Sequence, residues 1–227
     1  NKILPGGPAR PIKERYGMVF HTIRIAPPRE KIYQRLGYHL KITQINAQQK
    51  QQTDGYIDEA LALIHLKGSA VRIPIVGREK GLLFLENQIR LESANLAAFL
   101  QNCSEVLIMG ATAGESVMAA IRTALATDAV TRAVVFDATA SEMTDGALDW
   151  LMDYTRRTLI REGKALLKRR YSAGYGDFVL ENQQILYRLL ELSNIGIRIT
   201  KESILVPEKS VTAVTGIHQT GPGNGPS

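Results

Sequence analysis

AVRIPIVGREKGLLFLENQIRLE, residues 70–92, holds three extended runs, AVRIPIV, GLLFLE and QIRLE, with only loops between them. Strands joined by such short connections pair antiparallel, because a parallel pair needs a crossover of a dozen or more residues. The stretch predicts an antiparallel meander, and with it the fold class. Strands that are grouped, instead of alternating regularly with helices, point to α+β.

Working outward, GMVFHTIRIAPP reads as a strand ended by prolines, and Pro28 suits the first turn of a helix, PREKIYQRL, that stops at Gly37. NAQQKQQ is polar and without period, a loop or a solvated start to the next helix. Thr53 or Asp54 is expected to cap that helix, with Ile57, Ala60, Leu61 and Ile64 as its apolar stripe. On the other side, Ser93 caps NLAAFLQNC, EVLIMG is a strand and GESVMAAIRTALA a helix. RAVVFDA has strand composition yet runs without a breaker into a helical pattern, and both readings stand. From Met143 to Ile160 the period is helical, with Ala147, Leu151 and Tyr154 on one side. Glu181–Leu192 is another helix, and IRIT, ILV and SVTAVTGI close the chain as strands. Residues 1–15 are expected as a loose N-terminal segment, 16–218 as one domain, and 219–227 as a flexible tail.

With 227 residues, 44% hydrophobic and 22% charged, the chain suits a globular protein with one core. No apolar run approaches the roughly eighteen residues a membrane helix needs. The first fifteen residues lack the apolar core of a signal peptide, so a cytoplasmic location is expected. Cys103 is the only cysteine, which excludes an internal disulfide and a multi-cysteine metal site. A net charge of +6 favours acidic partners. Aromatic content is only 6% and no recognition motif accompanies the charge, so nucleic acid is not the expected partner.

Four motifs carry possible chemistry. VLIMGATAGES, residues 106–116, resembles a phosphate loop, but only three residues separate Gly110 from Gly114 and Glu115 follows. A carboxylate where an anion would sit opposes the helix dipole, so a tight strand-to-helix turn is the better reading. The histidines at 21, 39, 65 and 218 have no partner at metal-ligand spacing, and no hydrolase triad is present. Asp145, Asp149 and Asp153 share one helical face. They form either a solvated stripe, with Asp153 pairing to Arg157, or a wall from which one carboxylate receives a ligand ammonium. Last comes KRRYSAGYGDF, residues 168–178. Arg170 offers a planar fork for a carboxylate, Tyr175 a π-face for a cation or a base, and Gly174 and Gly176 permit positive φ or close backbone approach. It is a basic surface turn or the wall of a ligand pocket.

The order of elements after that loop resembles the activation (reactivation) domain of cobalamin-dependent methionine synthase, particularly its stand-alone bacterial form. The family pattern runs Arg-x-x-x-Gly-Tyr, a helix, Gly-(Ile/Val)-x-(Leu/Ile)-Thr, Pro, then Ser-Val-Ser/Thr. This chain has RYSAGY (170–175), a helix through LENQQILYRLLEL, GIRIT (196–200), Pro207 and SVT (210–212). The resemblance covers about residues 135–217 most strongly. It implies a C-shaped α+β domain on a bent, mainly antiparallel sheet flanked by helices, which binds S-adenosylmethionine on its inner wall. Arg170 would then engage the ligand carboxylate, Asp145 its ammonium, and Ser172, Gly174 and Tyr175 would line the site. The implied function is reductive methylation of cob(II)alamin, the cobalamin being carried by a methionine synthase that lacks its own activation domain. A flavodoxin-like acidic protein would supply the electron. Such a component of a methyltransferase in methionine biosynthesis needs no acid, base or nucleophile of its own. The alternative is a non-catalytic, regulatory partner of a corrinoid methyltransferase. Two departures stand out: Gly176-Asp177-Phe178 follows Tyr175 where the family has Pro-Ala-Cys-Pro, and Asp145 stands where glutamate is usual.

Overall fold

The computed structural model describes residues 17–38 and 46–220. The expected loose segment 1–15, His39, and residues 221–227 of the expected tail lie outside them. β1 (Gly17–Phe20) leads to α1 (Arg29–Arg35) and α2 (Ala47–Leu63). The meander of 70–92 then forms as read: β2 (Lys67–Glu79), β3 (Leu82–Leu85) and β4 (Ile89–Glu92) pair antiparallel in turn. After α3 (Ala94–Phe99) come β5 (Glu105–Thr112), α4 (Glu115–Ala126), α5 (Val130–Ile160), β6 (Lys164–Leu166) and α6 (Asn182–Leu190). A hairpin of β7 (Arg198–Ile199) and β8 (Leu205–Val206) precedes β9 (Ser210–Gln219).

The main sheet has the order β4-β3-β2-β5-β9-β6, with β1 on β2, and every pairing is antiparallel. The register of β2 slips between Ile75 and Gly77, which lets its first half serve β1 and β5 and its second half β3. All eight residues of β5 are buried because both faces of the sheet are covered. Leu107, Met109 and Ala111 join the core under α4 and α5, whereas Val106 and Ile108 join the core under α3 and α6. A third cluster of Ile32, Tyr33, Ile57, Val135 and Ala138 fastens α1 and α2 to the outside of α5.

RAVVFDA, open between strand and helix, is helical, part of the 31-residue α5. Ala133, Phe136, Ala140, Met143, Ala147 and Leu151 are buried at intervals of three and four, and this unbroken stripe outweighs the strand composition. Other local expectations need correction. Asn46, not Thr53 or Asp54, caps α2 by accepting from the Gln49 N–H at 2.8 Å. Thr53 is buried, and Asp54 accepts from Tyr33 at 3.0 Å and Arg29 at 3.2 Å, tying α1 to α2. Burial, then the hydrogen bond to Asp54, pushes the Tyr33 hydroxyl up to about 12. GMVFHTIRIAPP is regular strand only over Gly17–Phe20, and Pro28 sits at the N-cap of α1, one residue before the helix. Gly110 lies inside β5, opposite Thr212, and the turn to α4 is made at Gly114. A Cβ on Gly110 would come within 2.8 Å of Leu192 and 3.1 Å of Leu190, so this glycine serves packing.

Candidate ligand cleft at the start of the last strand

The cleft arises from a departure in the sheet. β6 runs antiparallel to β9 through Leu166 opposite Ile217, and the Leu167 N–H still reaches the Gly216 carbonyl at 2.9 Å. The next exchange of backbone bonds is Tyr171 with Val214, at 2.8 and 2.7 Å. Four steps on one side therefore match two on the other, and residues 168–170 bulge from the edge. Buried Thr215 fills the gap, its hydroxyl donating to the Arg169 carbonyl at 2.7 Å. The bulge aims Arg170 across to α5, where Nη2 reaches Asp145 at 3.3 Å and Nη1 bonds Asp149.

Beyond the bulge the chain turns sharply. The Gly174 N–H donates to the Phe178 carbonyl at 2.7 Å, with φ at +92° for Gly174 and +58° for Gly176. Both are conformations that residues with a Cβ resist. At Gly176 a Cβ would also meet the Tyr171 hydroxyl at 2.7 Å. The departure Gly176-Asp177 has a structural role. Asp177 accepts from the N–H groups of Ala94 (2.6 Å) and Asn95 (3.1 Å) and from the Ser93 hydroxyl, so it docks the loop on the start of α3. Ser93, the expected cap, meanwhile accepts from Leu96 at 2.9 Å. The hydrogen bond from Ser93, helped by those from the backbone, holds the Asp177 carboxyl below its ordinary value.

Between the loop, α5, α6 and the first residues of β9 lies an open cleft of about 530 Å³. Asp145, Arg170, Ser172 and Tyr175 line it together, although they come from elements up to thirty positions apart in sequence. Gly174 stands behind it, shaping the turn without lining the wall. Tyr175 is 70% exposed, its ring free to cover a ligand. Arg169, read as surface charge beside Lys168, also lines the cleft at its exposed rim. Asp153 pairs with Arg156, not the expected Arg157, and takes no part.

Three polar residues of the cleft, Gln183, Ser210 and Thr212, were not among the expected site residues. Gln183 is buried and accepts from the Thr212 hydroxyl at 2.7 Å, while Ser210 donates to Thr112 at 2.9 Å. The spacing of Ser210 and Thr212 on one strand face was the available signal. Neighbouring bonds join the pieces of the recognised pattern: Gln184 to the Thr200 carbonyl at 2.9 Å and Tyr187 to the Ile197 carbonyl at 3.2 Å. α6 thus holds GIRIT on one side and SVT on the other. Chemically, the cleft offers a cationic fork, a carboxylate, hydroxyls and an exposed aromatic face. That set fits a zwitterion attached to a base, and its volume is within the range of small-molecule pockets.

No protein-family model matches the chain, and no curated protein matches it. Among solved structures, the MetH reactivation domain bound to AdoHcy is similar, with a TM-score of 0.60 and 16% identity. The match covers 84% of this chain and 72% of that one. The mixed helical and antiparallel-sheet fold of the reactivation domain is therefore the fold of this chain.

Proposed function

We propose that the cleft binds S-adenosylmethionine and that the protein serves the reductive methylation of cob(II)alamin held by a separate methionine synthase. The observation that carries this reading is the convergence of Arg170, Asp145, Ser172 and Tyr175 on one cleft, in a fold whose solved counterpart holds AdoHcy.

The donor set fits the ligand. Arg170 presents two N–H groups in a plane to the α-carboxylate, and Asp145 accepts from the α-ammonium. The exposed ring of Tyr175 faces the sulfonium or the adenine, an attraction worth about 0.5–2 kcal/mol. In the free protein Arg170 and Asp145 bond each other, so the ligand enters by exchange, the two charges of its amino-acid end replacing each partner with one of like sign. That end adds no net charge, which keeps the exchange from stranding a charge. Cobalamin, carried by the partner, would supply the metal that accepts the methyl group. The contribution of this chain is to hold the donor methyl group in place at an open cleft, a proximity effect. A flavodoxin-like acidic electron donor agrees with the +6 charge.

Titration calorimetry of the protein with S-adenosylmethionine tests the binding half, and the absence of heat at millimolar ligand overturns it. Methyl transfer to cob(II)alamin on a truncated methionine synthase, with a one-electron reductant, tests the other half. Binding without transfer would instead support a regulatory partner of a corrinoid methyltransferase.

A further inference from the structure

Asp149 does not line the cleft, yet it bonds the residue that does. We propose that Asp149 is a positioning residue, which keeps the Arg170 guanidinium on the cleft wall while the ligand ammonium occupies Asp145. The inference rests on the S-adenosylmethionine reading above and deepens it.

Arg170 bonds two carboxylates one helical turn apart on α5, Asp145 through Nη2 and Asp149 through Nη1. Only Asp145 faces the cleft. A zwitterion that takes Asp145 removes one of the two anchors of the arginine, and Asp149 is the carboxylate left to hold it. Asp149 is itself braced from α1, where Lys31 Nζ lies 3.8 Å from its other oxygen. The Met152 sulfur, 4.0 Å from Nη1, supports the same rotamer without charge. Removing the charge of Asp149 has a definite consequence. Arg170 then has Asp145 as its one anionic partner, so the contact that the ligand must open becomes stronger while the bound guanidinium loses its anchor. Both effects weaken ligands that carry an amino-acid tail, and neither touches a ligand without one.

The test is calorimetric titration of wild type, Asp149→Asn, Asp149→Glu and Asp153→Asn with S-adenosylmethionine and with 5′-methylthioadenosine, which lacks the amino-acid tail. Asp149→Asn is expected to weaken S-adenosylmethionine about tenfold, the scale of one charge-assisted hydrogen bond, and to leave methylthioadenosine unchanged. Asp149→Glu should restore most of the loss. Asp153→Asn, which removes the same charge one turn further along the helix, should change neither ligand. Wild-type binding with an unaltered ratio of the two ligands in Asp149→Asn, or an equal loss for both, overturns the positioning role and leaves the cleft assignment standing. Wild-type protein that binds neither ligand overturns the cleft assignment and the positioning role together.

Discussion

The two ends of β9 carry two charged clusters of opposite design. Near Gln219, Arg72 and Lys164 close on Glu105 and Glu162. Arg72 bonds Glu105 at 2.9 Å and Glu162 at 2.6 Å, and Lys164 bonds the same pair at 2.6 and 3.1 Å. Two cations and two carboxylates saturate one another, and the Arg72 side chain is only 15% exposed. Near Ser210, Arg170 bonds Asp145 and Asp149, both about half exposed, beside an open cleft, and Lys31 reaches Asp149 only at 3.8 Å. The first cluster also lines a pocket, of about 510 Å³, but its charges satisfy one another and leave none over for a ligand. The second has half-exposed carboxylates, looser pairing and one partner on the cleft wall. The contrast separates a structural ion network from the proposed binding site better than the number of charged residues does.

The comparison can be broken most severely at Arg170. Arg170→Ala should weaken S-adenosylmethionine by roughly 2–4 kcal/mol, about 30- to 1000-fold, while the midpoint of thermal unfolding hardly moves. A large loss of stability with affinity intact would mean that both clusters are scaffold. The converse holds for Arg72→Met, which strands Glu105 with Lys164 alone. A cost of about 2–3 kcal/mol in denaturant unfolding is expected, with unchanged ligand affinity. Tyr175→Ala sharpens the cleft side more gently, with a loss of about 0.5–1 kcal/mol in S-adenosylmethionine binding at this exposed ring.

The smallest effect is one of pH, and it reports on the Arg72–Glu162 cluster. Hydrogen bonds from Arg72, foremost, and from Lys164 hold the Glu162 carboxyl at about 2, below its ordinary 4.5. A folded value below the unfolded one means that the contribution is fully present above 4.5 and is lost as pH falls towards 2. Unfolding of Glu162→Gln at about pH 5 and about pH 3 should therefore fall less steeply with acid than that of wild type. Equal slopes would remove Glu162 from the network. Asp177, also depressed, adds to acid sensitivity in the same direction, and hydrogen exchange at Ala94 and Asn95 would report its release.

Much of this architecture was legible in the chain. The meander of 70–92 follows from loop lengths too short for a crossover, and Ser93 announced its helix by residue type. RYSAGY, GIRIT and SVT were read as one unit through the family resemblance, and α6 bonds the two later pieces directly. Other readings stayed open or failed for identifiable reasons. RAVVFDA was open between strand and helix because Val and Phe fit either state, and packing against α1, α2 and the sheet chose the helix. Thr53 and Asp54 were attractive caps by type, but Asn46 came first and the helix had already begun.

Fold class, the antiparallel meander and the turn at Gly174 and Gly176 were readable from residue order alone, since loop length, period and turn chemistry are local properties. The same order also placed Asp145, Asp149 and Asp153 on one face. Which of the three meets Arg170 was decided by the bulge opposite Thr215, which throws the arginine towards the first two and leaves the third to Arg156. That decision belongs to tertiary structure, because the bulge exists only where 167–171 is laid against β9, a strand some forty residues later in the chain.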